Sequence, residues 1–99
     1  MISRHWSGRI KPEETENYIN YLKTQIIPKL EKMEGFRGAS IKRRRLEHAW
    51  DFLFISSWNS LKDIEQFAGR EIGVAVVSET AQAMMTDFDK EVRHYEVIL

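Results

Sequence analysis

The 99-residue chain contains no cysteine. That excludes disulfides, thiolate catalysis, Cys-ligated zinc and iron–sulfur clusters. It leaves the compartment open. Net charge is absent too, because 15 Lys and Arg balance 15 Asp and Glu. With no excess of either sign there is no bulk attraction for nucleic acid or an anionic membrane, and neither is expected as a partner. No apolar run approaches the roughly 18 residues of a membrane span. The segment Met1-Ile2-Ser3-Arg4-His5-Trp6 lacks the apolar core of a signal peptide. Proline occurs only at positions 12 and 28, and no linker, internal repeat or low-complexity segment interrupts the chain. The expectation is a cytoplasmic protein.

What is present is ordinary for a globular protein: 42% apolar and 30% charged residues, which argues against disorder. The length gives one domain, residues 1–99, with no room for a second core.

Residues 2–10 read as a first strand of mixed polarity, with Ile2, Arg4, Trp6 and Ile10 on one face and Ser3, His5, Ser7 and Arg9 on the other. Pro12 suits the first turn of a helix, and Glu13, Glu14 and Glu16 suit its positive end. Tyr18, Leu22, Ile26, Leu30 and Met33 then mark one buried face. Pro28 predicts a kink there, and Gly35 a stop. Residues 36–46 and 49–58 form a hairpin of two strands. The second has Trp50, Phe52, Phe54 and Trp58 on one face and Leu53 and Ile55 on the other, so both faces are apolar. Ser60 is a good N-cap, with Asp63 at the N3 position. Leu61, Ile64, Phe67 and Ala68 continue as a helical face that Gly69 ends. Residues 72–77 are ambiguous between strand and helix. Ser78 caps a third short helix through Met84 and Met85, and the last strand runs from about Val92 to Leu99.

The order is β-α-β-β-α-β. That is an α+β, ferredoxin-like fold: a four-stranded antiparallel sheet with helices on one face. Two helices cover one face only, while the third strand is apolar on both. Two copies packed sheet to sheet would bury aromatics such as Phe52, Phe54 or Trp50 at a two-fold interface. Each would contribute roughly 1.5–3 kcal/mol. A homodimer is therefore expected.

These segments together resemble the antibiotic biosynthesis monooxygenase domain, a family of dimeric α+β barrel proteins. The resemblance spans nearly the whole chain. Its carriers are Trp6 with Lys11-Pro12, the join Trp58-Asn59-Ser60-Leu61, Phe67-Ala68-Gly69, Ala75-Val76-Val77, and the ending from Phe88 to Val97. The resemblance implies a small-molecule pocket between sheet and helices. Members include oxygenases that act on electron-rich phenols and hydroquinones without metal or flavin. Other members degrade haem with an Asn on the first strand, a Trp on the helix after the third, and a His beyond it. Those positions fall here at His5 or Trp6, at Phe67, and within Val74–Val77, where no His stands. All three depart from the haem pattern.

The function expected is therefore monooxygenation of a small electron-rich aromatic with no cofactor. The rival is a non-catalytic dimeric module that binds a small ligand or only assembles. His5 and His94 are the candidate catalytic residues, because first and last strands are neighbours in such a sheet and histidine titrates near neutrality. Trp6, Trp58, Phe67 and Tyr95 are candidates to stack on a flat substrate, and Arg4 or Arg93 to hold a developing anion. The plain alternative is that the aromatics are core and the histidines hydrogen-bonded sheet residues. His5, His94 and Glu96 would make a facial metal set, but no spacing enforces it, and no metal is expected. Lys42-Arg43-Arg44-Arg45 reads as the solvated end of an edge strand in preference to a phosphate site. Met84-Met85 reads as core filling.

Overall fold

The computed structural model describes residues 1–99. Strand β1 (Ile2–Ile10) lies in the middle of a five-stranded antiparallel sheet. It pairs with β3 (Trp50–Trp58), which pairs in turn with β2 (Phe36–Arg45) at the edge. Two short strands share the other side of β1. β4 (Met85–Phe88) pairs with Gly8–Ile10, and β5 (Arg93–Glu96) pairs with Ile2–His5.

The expected β-α-β-β-α-β order is present, with one correction. The fourth strand is split in two and begins earlier than Val92. The helix after Ser78, α4, is a single turn (Glu79–Gln82), capped as expected by the Ser78 hydroxyl accepting from the Ala81 N–H. Met85 is therefore not helical but opens β4 opposite Ile10. The reason is tertiary. Lys11 N–H donates to the Met84 carbonyl, so the chain is drawn onto the β1 edge as soon as α4 ends. The chain beyond Glu96 is also not strand, and Ile98 and Leu99 stand exposed. Of residues 72–77 only Val74 pairs, in an isolated bridge to Glu91.

The first helical arm starts with a 3₁₀ turn at Pro12–Glu14 and continues as α1 (Thr15–Tyr21). The next turn, Leu22–Ile26, widens to π form, with the Ile27 N–H donating to the Leu22 carbonyl, and α2 (Ile27–Glu31) follows. Pro28 thus neither stops the helix nor simply bends it. The wide turn before it accommodates a ring and a missing N–H. The second arm, α3 (Leu61–Ala68), is capped by Ser60, whose hydroxyl accepts from the Asp63 N–H at 3.2 Å. Gly35, at φ 79°, turns the chain into β2, and its carbonyl accepts from Asn59 N–H at 2.8 Å.

All the helices pack on one face. Even-numbered residues of β1 and β3 point towards them. One cluster gathers Ile10, Tyr18, Leu22, Phe52, Ala81, Met84 and Met85; the other gathers Leu30, Trp58 and Ile64. Ile26 and Phe54 pack against both. This corrects the expected dimer contact. Phe52 and Phe54 belong to the helix-covered side, and Trp50 on the same face lies under Arg43, whose guanidinium carbon is 4.1 Å from the ring centroid. The open face instead carries Leu53 and Ile55 beside His5, Ser3 and Ser7.

Candidate functional site

Between the two clusters lies a cavity of about 70 Å³. The strands supply Arg4, Trp6, Phe54, Ser56 and Met85. The helical arms supply Tyr18, Tyr21, Leu22, Ile26, Leu30, Phe67 and Ala81, and the segment around Val76–Ser78 closes one side. The π turn belongs to this wall, because it carries Leu22 and Ile26.

Only one full charge enters the cavity. Arg4 is 4% exposed, and no Asp or Glu lines the space around it. The ion pairs of the fold lie elsewhere, on Arg9, Arg44 and His48. Nη1 of Arg4 donates to the Ile72 carbonyl at 2.5 Å and meets Nε2 of His94 at 2.8 Å. A guanidinium has no acceptor, so Nε2 of His94 must be the unprotonated nitrogen and Nδ1 must hold the proton. Burial, and then the Arg4 charge, holds the His94 imidazole below its usual value, which agrees with a neutral ring. Burial lowers the Arg4 guanidinium to about 10, which leaves it charged at neutral pH. The Phe67 ring lies 5.9 Å from the guanidinium carbon.

The far end is phenolic. Tyr18 is buried against Phe52, edge to face, and burial pushes its hydroxyl well above the ordinary tyrosine value, with Tyr21 adding to the shift. Tyr21 hydrogen-bonds Ser78 at 2.8 Å. These groups went unremarked in the sequence, where Tyr18 read as one position of a buried face.

Of the residues singled out from sequence, Arg4, Trp6 and Phe67 line the cavity. His94 meets it through Arg4. Trp58 is fully buried in the core beside it, its indole N–H donating to Ser56 Oγ at 2.9 Å. His5, Arg93 and Tyr95 lie elsewhere. In the register, Arg4 stands opposite His94 and His5 opposite Arg93. The two histidines are neighbours in sequence pairing yet emerge on opposite faces, because successive strand residues alternate. His5 sits on the open face, against the edge of Tyr95 and 2.8 Å from Ser3 Oγ. For the same reason His5, His94 and Glu96 do not converge, and no group of three ligating side chains forms in the fold. The basic run on β2 is exposed, and three of its four residues have partners: Arg43 and Arg45 stack on Trp50, and Arg44 pairs with Asp51 at 3.1 Å.

The fold and site define an α+β sheet protein with a small, aromatic-walled cavity holding one unneutralised cation. No family model matches the sequence, and no curated protein does. Solved structures do match. One is a conserved protein from Methanosarcina mazei Go1, 18% identical at TM-score 0.69, over 95% of this chain and 89% of that one. Two others are described as a "putative antibiotic biosynthesis monooxygenase". The one from Bacillus cereus is 14% identical at TM-score 0.67, over 100% of this chain and 94% of that one. The one from Bordetella bronchiseptica is 15% identical at TM-score 0.67, over 99% and 97%. The chain has the fold of these antibiotic biosynthesis monooxygenase structures. At such identities the likeness carries the fold and leaves the chemistry to the site.

Proposed function

We propose that the protein is a monooxygenase that acts on a small electron-rich aromatic, of phenol or hydroquinone type, without a bound cofactor. The observation that carries this reading is Arg4: a buried guanidinium with no counter-ion in an otherwise apolar cavity. A cation so placed favours negative charge on a bound ring, and its effect is large where water is excluded. The substrate hydroxyl would lose its proton to water at the cavity mouth, and Arg4 would stabilise the phenolate. That anion is rich enough in electrons to reduce dioxygen by one electron. Recombination at ring carbon would give a hydroperoxide, and loss of water would leave a quinone. Trp6 and Phe67 would hold the ring. His94 would keep the guanidinium in place and is thus a positioning residue in this scheme, since its free lone pair is already taken. Two fold neighbours are each described as a "putative antibiotic biosynthesis monooxygenase", which supports the monooxygenase part of this reading and not its substrate class.

The protein is also proposed to be a homodimer, packed through the open sheet face. Leu53, Ile55, His5 and Tyr95 are half-covered or exposed there, with no helix over them.

A second reading has its own observation. No histidine lines the cavity, as expected of a dimeric ligand-binding module that performs no chemistry. Oxygen-electrode measurements with a panel of phenols and hydroquinones separate the two. The oxygenase consumes one O₂ per molecule of quinone formed, and Arg4→Met abolishes consumption. Absence of uptake across the panel rejects the oxygenase and favours the module.

A further inference from the structure

Both short contacts of Arg4 use the same nitrogen, Nη1. That nitrogen has two hydrogens, and the Ile72 carbonyl and His94 Nε2 take both. Nη2 and Nε have no protein partner. They are also not sealed, since Oδ1 of Asp51 is the only enclosed side-chain nitrogen or oxygen without a hydrogen bond. Nε–H and the adjacent Nη2–H form the side-on fork of a guanidinium, two parallel donors spaced to match the two oxygens of a carboxylate.

We propose that the cavity takes a monoanionic aromatic acid, its carboxylate held bidentately on the Nε and Nη2 edge of Arg4 and its ring among Trp6, Phe54 and Phe67. The proposal rests on the small-aromatic reading above and narrows its substrate class. A carboxylate matches the site better than a phosphate. There is one cation and no second donor cluster, so a dianion would stay half-neutralised among apolar walls. A carboxylate is also ionised before it binds, whereas a simple phenol must first be deprotonated. Its charge removes the cost of leaving a lone cation buried, so ligand and empty site differ in the right direction.

The test uses the full-length protein under argon, titrated calorimetrically with 2,5-dihydroxybenzoate and with its neutral amide, 2,5-dihydroxybenzamide. The acid should bind at least about tenfold more tightly than the amide, as a charge-assisted bidentate pair requires. Arg4→Met should remove that preference, and Arg4→Lys should keep part of it. Equal affinities, no binding of either compound, or an acid preference that survives Arg4→Met would overturn the proposal. If Arg4→Met fails to fold, the acid and amide on the native protein decide alone. Oxygen uptake distinguishes the two levels. Acid-selective binding with no uptake from any hydroquinone would reject the oxygenase and keep the anion site. Turnover of neutral hydroquinones with no preference for the acid would do the reverse.

Discussion

Arg4 is the residue on which the account turns, and its cost to the fold is testable. A buried charge held by one carbonyl and one imidazole, with no carboxylate, is a poor source of stability. Arg4→Met should therefore change unfolding stability by less than about 1 kcal/mol while abolishing turnover, since an apolar residue of similar volume replaces an unneutralised ion. Chemical denaturation checks this, and a loss of several kcal/mol would make Arg4 a structural residue. The histidines give a second residue-scale prediction. Both are held below their ordinary value, by burial first and then by a nearby cation, Lys42 for His5 and Arg4 for His94. In the unfolded chain they titrate near 6.5. Below that value the unfolded state takes up protons that the folded state resists. Their contribution is thus complete above about pH 6.5 and declines as pH falls towards their lower folded values. Stability should fall as pH drops below about 6.5. His94→Asn should flatten part of that slope, because an amide oxygen still accepts from Arg4 but does not titrate. That Arg4 shares a face of β1 with Ile2, Trp6 and Ile10 followed from alternation, but that this face is the one the helices cover did not. Nor did its lack of a counter-ion, because that depends on what α3 and the Ile72 carbonyl bring against it.

Among the elements, the join Trp58-Asn59-Ser60 fixes where the sheet ends and α3 begins. Ser60→Ala should cost about 1 kcal/mol, the usual loss on removing an N-cap hydroxyl. Gly35→Ala should cost more. Its φ of 79° disfavours any side chain, and a Cβ there would fall on the Asp63 carboxylate. Thermal melts of the two variants test this order, and Gly35→Ala melting as high as Ser60→Ala would contradict it. These features were legible because each has a local signal: a cap hydroxyl, a glycine after an apolar face, a period of four. The split edge was not. The last strand was legible over Arg93–Glu96, but Met85–Phe88 owes its structure to pairing with β1, far away in sequence, and β4 is too short to show alternation. The π turn was foreshadowed by Pro28, but whether the helix would bend or widen is settled by packing of Leu22 and Ile26.

Across the whole molecule, alternation along β3 showed that both sheet faces carry apolar residues, but not which set the helices cover. That choice reverses the expected interface: the large aromatics went inside with the helices, and Leu53 and Ile55 remain outside. Sedimentation at micromolar concentration should give a dimer, and Ile55→Lys should shift it to monomer. A monomer mass at all concentrations for the native chain would remove the proposed assembly. The central claim is that the cavity beside Arg4 is the functional site, and ¹⁵N–¹H correlation spectra of the full chain titrated with 2,5-dihydroxybenzoate test it most directly. The account predicts that the Arg4 Nε–H signal and the amides of Val76, Val77 and Ser78 move together and saturate. Shifts confined to Leu53, Ile55 and Tyr95 on the open face, with the Arg4 signal unmoved, would contradict it.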